Sequence, residues 1–100
     1  MSVFERALKS IALTLSDEAE LYNVELPQPP DGGDDKAILE YLKEVAKKIS
    51  EASGSTVADA CLETLEKYLS GSASDEDILT NCPMAEELPN DALEPFRKRF

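Results

Sequence analysis

Catalysis and metal binding need particular side chains at workable spacings, and this 100-residue chain has few of them. It has no histidine, so it cannot build a Ser-His or Cys-His nucleophile pair or an imidazole metal site. Its two cysteines, Cys61 and Cys82, stand 21 positions apart, a separation that matches no zinc or redox motif. The paired glycines Gly32-Gly33 follow prolines without a preceding strand, unlike a phosphate-cradling loop. Asp31, Asp34 and Asp35 surround those glycines, but they lack the alternating ligands and terminal glutamate of an EF-hand loop, so at most they would hold a hard cation weakly. Carboxylates are abundant, yet they fall in loops and on polar helix faces, away from any visible pocket suited to general acid and base work. Ser16 and Ser74 precede acids as the substrates of acid-directed kinases do, and helix N-capping explains both positions equally well. The expectation is a protein that is not an enzyme and holds no cofactor and no metal.

What the chain has in excess is negative charge. Its formal net charge is −11, from 21 acidic and 10 basic residues, and the excess is concentrated in two blocks. Residues 10–35 contain seven acids and no Lys or Arg, and residues 71–94 again contain seven acids and no Lys or Arg. Between them, residues 36–70 are nearly balanced, with five bases and six acids. Such a field repels phosphates at long range, which argues against direct nucleic-acid binding and against an anionic membrane, and it favours a basic protein partner. If the two blocks lie on one side, Asp17, Glu18, Glu20, Asp75, Glu76, Asp77, Glu86 and Glu87 are the residues expected to meet that partner, or to imitate the phosphates of a nucleic acid in its groove. The plainer reading is that acidic segments keep a small protein in solution. The ending Arg97-Lys98-Arg99-Phe100 has the opposite sign; it either complements a helix C-terminus or offers a basic-aromatic tail to a partner.

The elements that must position these charges are helical. From Asp34 to Gly71 the pattern is an antiparallel helical hairpin. Ile38, Tyr41, Leu42, Val45, Ile49 and Ala52 form the inner stripe of its first arm, and Val57, Ala58, Cys61, Leu62, Leu65, Tyr68 and Leu69 that of its second. Ser53-Gly54-Ser55-Thr56 supplies a terminating glycine and a capping hydroxyl between them. Before the hairpin, Ser2 and Glu5 form a capping box for a helix with the stripe Phe4, Ala7, Leu8, Ile11, Ala12 and Leu15. Arg6, Lys9, Ser10 and Thr14 fall off that stripe. The helix either continues to about Tyr22 with room for a bend near Ser16, the favoured reading, or breaks at Ser16 and restarts. Residues 23–34 hold three prolines and two glycines and form a crossover loop whose reach of roughly 35 Å leaves the direction of the second helix open. After Gly71, Ser74 caps a short helix in which Ile78 and Leu79 close one end of the core. A further turn from Pro83 and a last helix after Asn90-Asp91 follow.

The fold class is therefore all-α: a small helical bundle of three main helices, with a central antiparallel hairpin plus short C-terminal helices, in a single domain over residues 1–100. With 42% hydrophobic and 31% charged residues, composition favours a folded chain over a disordered one. No apolar run approaches the roughly 20 residues needed to span a bilayer, and no secretory signal is visible, although the first sixteen residues, with Glu5 as their only acid, leave a transit peptide open. A cytoplasmic protein with two reduced thiols is expected, Cys61 acting as a small core hydrophobe, with a Cys61–Cys82 disulfide as the lesser alternative.

In size, acidity and helical content the chain resembles small helical immunity proteins and phage-encoded inhibitors; no motif carries the likeness residue by residue. The expected function is a non-enzymatic binding module, an inhibitor or adaptor that docks its acidic surface on a basic, nucleic-acid-handling partner. The alternative is a structural or self-associating bundle, such as a homodimer sharing Phe4, Leu8, Tyr22 and Phe96, or an immunity-type protein that binds through apolar helix faces.

Overall fold

The structure, a computed structural model, describes residues 2–28, 34–56 and 58–83. The expected helices after residue 83 lie outside them, as do Asp31, Val57, Glu86, Glu87, Phe96 and the basic ending. The described chain forms four helices and no strand: α1 (Val3–Leu21), α2 (Asp35–Ser53), α3 (Asp59–Leu69) and α4 (Asp75–Asn81). It is an all-helical bundle.

Each start is capped as far as its sequence allows. The Ser2 hydroxyl accepts from the Glu5 amide at 3.1 Å, and the Asp34 carboxylate accepts from the Ala37 amide at 2.7 Å. Ser74 and Asp77 form a full capping box on α4. α3 is the exception. Thr56 does not cap it; the Thr56 carbonyl accepts from the Asp59 amide at 3.1 Å, and the N-cap position falls to Ala58, which has no side chain to offer. The turn thus runs two residues beyond the expected cap.

The first three helices end on left-handed residues. At the end of α1, Asn23 has φ 59°, its amide donates to Glu20 and the Val24 amide to Ala19, a Schellman motif that also drops Val24 onto the core. Gly71, at φ 82°, ends α3 the same way, with the Ser72 amide bonded to Lys67. Gly54 ends α2 at φ 76°, and a methyl group added there would meet nothing within 4 Å. Gly54→Ala is therefore expected to cost about 1 kcal/mol, through backbone strain alone; a urea-unfolding series measures it, and no loss would contradict the left-handed turn.

Direction follows from which residues meet. Lys43 pairs with Glu66 at 2.7 Å, Ser50 and Glu51 share a groove with Asp59, and Lys36 lies beside Ser70, so α2 and α3 are antiparallel. Phe4 stacks on Tyr68, ring centroids 5.3 Å apart, while Glu18 accepts from the Ser55 hydroxyl at 3.4 Å. α1 is therefore also antiparallel to α3, and it runs in the same sense as α2. The crossover loop makes this topology available, and the Tyr41 hydroxyl fastens it by donating to the Pro27 carbonyl at 3.0 Å.

The core gathers most of the expected stripes and widens them, while Leu69 at the end of α3 is exposed. Phe4, Ala7, Leu8, Ile11, Ala12 and Leu15 are all buried, and Ala19 extends the stripe, so α1 passes Ser16 without a break. Ser16 is thus a mid-helix residue and caps nothing. Ser10, expected outside the stripe, is buried, because α1 is covered by α2, α3 and α4. In α2, Leu39 and Ala46 are buried beside the expected residues, and Ala52 is exposed. That helix faces α1 and α3 together and needs a broader apolar arc. Phe4 and Leu8 sit inside this core at 4% and 2% exposure, which removes them from any interface between copies. Ile78 is fully buried under α4, whereas Leu79 is half exposed.

The cysteines correct the sequence expectation outright. Cys61 and Cys82 are joined in a disulfide, Cα atoms 4.6 Å apart. Five residues separate α3 from α4, which brings Cys82 back to the first turn of α3, a return that no local spacing announces.

Candidate functional site

Of the eight acidic residues expected to meet a partner, six are described and they fall on two elements. Asp17, Glu18 and Glu20 lie in the last turns of α1, next to the turn between α2 and α3 where Ser55 meets Glu18. Asp75, Glu76 and Asp77 form the first turn of α4, which leaves from the end of α3 where Tyr68 stacks on Phe4. The antiparallel course of α1 and α3 places these two groups toward opposite ends of α1.

The two groups differ in what explains them. On α4, acids in the first turn complement the positive end of the helix macrodipole. The Asp77 carboxylate is further committed to the cap, accepting from the Ser74 amide at 2.9 Å and from its hydroxyl at 3.2 Å. Local helix stability accounts for this group. On α1 the signs are reversed: Asp17, Glu18 and Glu20 crowd the negative end of the dipole, and the last turn of α1 contains no base. That placement costs a few tenths of a kcal/mol per charge. Nothing in the helix calls for it.

Beside those acids lie the exposed apolar residues that the sequence reading had not joined to them. Leu21 is 74% exposed and Tyr22 46%. They stand one turn beyond Asp17 and Glu18, so on the helix surface the acids and the apolar pair adjoin. An amphipathic aromatic and a large aliphatic side chain in a charged surround is the composition of an interface anchor with its polar rim. The signal in the sequence was the apolar pair Leu21-Tyr22 placed past the end of the buried stripe.

A concavity lies elsewhere, along the hairpin. It is a groove of about 640 Å³ between α2 and α3, floored by Ala46 and Leu62 and rimmed by charges of both signs. The Lys43–Glu66 pair spans it, and Lys67 pairs with Glu63 one turn apart at 3.3 Å. These are solvated helix charges, partly exposed, and they add little to stability. Asp34, considered for a cation, serves as the N-cap of α2. Among the described residues no helix is long and apolar enough to cross a membrane.

No protein-family model, no curated protein and no solved structure matches the chain.

Proposed function

We propose that the protein is a non-enzymatic binding module that docks the C-terminal end of α1 on a basic partner protein, with inhibition or adaptation of that partner as its role. The observation that supports this is the exposed Leu21-Tyr22 pair set among Asp17, Glu18 and Glu20, acids that the helix dipole disfavours and that therefore need a reason outside the helix. The apolar pair supplies the buried centre of the contact, and the acids supply steering and the rim. Asp75, Glu76, Asp77, Glu86 and Glu87 add to the long-range field that draws a cationic partner in. A nucleic-acid-handling partner would present such a cationic surface, and there the module would compete with phosphates.

A pulldown with the full chain as bait, at low and at high salt, isolates the partner. The association rate is then compared with that of the Asp17→Lys, Glu20→Lys double variant. Association should slow by roughly tenfold. The same variant should be slightly more stable than the parent, because lysines suit the C-terminal end of a helix. Slower binding without loss of stability separates a contact from a folding defect. An unchanged rate would sink this reading, and displacement of the partner by added DNA would point to mimicry of nucleic acid.

Self-association is the second reading, and the same Leu21-Tyr22 pair is what favours it now that Phe4 and Leu8 are in the core. Light scattering at two salt concentrations distinguishes it, since a dimer held by apolar burial persists under screening. A cytoplasmic location, expected from the sequence, would put the Cys61–Cys82 pair in a reducing milieu, where the bond becomes a variable.

A further inference from the structure

α4 is the shortest element of the bundle. Its seven residues are far fewer than the 12–15 or so at which an isolated helix becomes even marginal. One of its side chains, Ile78, is fully buried; Leu79 is 53% exposed and the remaining residues face solvent. The Ser74–Asp77 capping box orders its first turn from exposed residues of the helix itself. What fastens it to the bundle is Ile78 in the core and, directly after its last residue, the disulfide from Cys82 to Cys61.

That bond is itself covered. Cys61 is 0% exposed and Cys82 7%, so a reductant reaches the sulfurs only when α4 lifts. Docking and oxidation are thus linked: the docked helix shields the bond, and the bond holds the helix docked. Linkage of this kind is reciprocal. Reduction makes undocking easier by the same factor by which undocking makes reduction easier.

We propose that Cys61–Cys82 is a redox clasp whose reduction by a dithiol releases α4 from α1 and α3 while leaving the α1–α2–α3 core folded. In the chemistry, a thiolate of the dithiol attacks one protein sulfur, breaking the S–S bond and expelling the other as a thiolate. The second thiol of the reagent then displaces the mixed disulfide. The protein gains two electrons and two protons as Cys61 and Cys82 thiols, and the reagent leaves as a cyclic disulfide. The core is equipped to stand without α4, because α2 packs on both α1 and α3, and those two pack on each other. The clasp is independent of what binds at the end of α1.

Hydrogen exchange on the full chain, air-oxidised and then reduced with dithiothreitol, tests this. The reporters are the amides of Ile78 and Cys82, which donate to Ser74 and Ile78. On reduction they should exchange roughly tenfold faster or more, while the amides of α1 and α2 keep their protection. A Cys61→Ser, Cys82→Ser variant should match the reduced protein; if it fails to fold, the reduced parent carries the comparison. Unchanged protection of α4 on reduction would overturn the clasp. So would simultaneous loss of protection in all four helices, which would make the bond a staple of the whole fold, and so would two titratable thiols in the folded, air-oxidised chain.

Discussion

Replacing Leu42 with alanine is expected to lower the free energy of unfolding by about 3 kcal/mol and the thermal midpoint by about 15 °C. Leu42 is 0% exposed and lies at the centre of α2, the helix that packs on α1 and α3 at once. Truncation removes three carbons from a site that neither neighbour can refill without moving the other, so both the transfer loss and a residual cavity contribute. Leu79, half exposed at the far side of α4, is the matched control; Leu79→Ala should change stability by less than about 0.5 kcal/mol. Urea unfolding with an unchanged m-value measures both. A loss below about 1 kcal/mol at Leu42 would mean that α2 is not enclosed between its neighbours.

The second large effect depends on the oxidation state of the chain. With the disulfide intact, Ile78→Ala should cost about 2–3 kcal/mol, because Ile78 is the fully buried side chain that α4 contributes to the core. In the reduced protein, where α4 is expected to be free, the same substitution touches a side chain that is already in water, and its cost should fall below about 0.5 kcal/mol. The coupling between residue and bond, read from a double cycle, is then at least about 1.5 kcal/mol, the size found for groups that act through one structural unit. Equal costs in both states would show that α4 stays docked without its bond.

The hairpin, the direction of its arms, the crossover and the cap on α4 were legible in the sequence because each rests on local chemistry. A three-and-four spacing of apolar residues, Gly54 at a helix end, and Ser74 three residues before Asp77 each carry their meaning within one or two turns. What was not legible needs the third dimension. Leu39 and Ala46 lie beside the expected stripe and are buried because α2 packs on both α1 and α3 and so needs a wider apolar arc. Thr64 is buried although polar, since its hydroxyl donates to the Ala60 carbonyl one turn back and needs nothing from outside the helix. The disulfide depends on α4 folding back so that Cys82 lands on the first turn of α3. Likewise composition leaves open whether the acidic blocks share one side, and only the antiparallel course of α1 and α3 separates Asp17, Glu18 and Glu20 from Asp75, Glu76 and Asp77. Leu21 and Tyr22 gain their meaning from exposure, which periodicity alone does not report.

The crossover between α1 and α2 also sets an order in time. α2 and α3 are joined by a turn of a few residues, so their contacts close short loops and form at little entropic cost. α1 runs in the same sense as α2 and must be carried back along the length of the bundle before Phe4 can reach Tyr68, a contact between residues 64 positions apart in the sequence. The hairpin is thus the natural nucleus and α1 a late arrival. A growing chain would therefore emit α1 first and use it last, holding Leu8, Ile11 and Leu15 in water until α3 has been made.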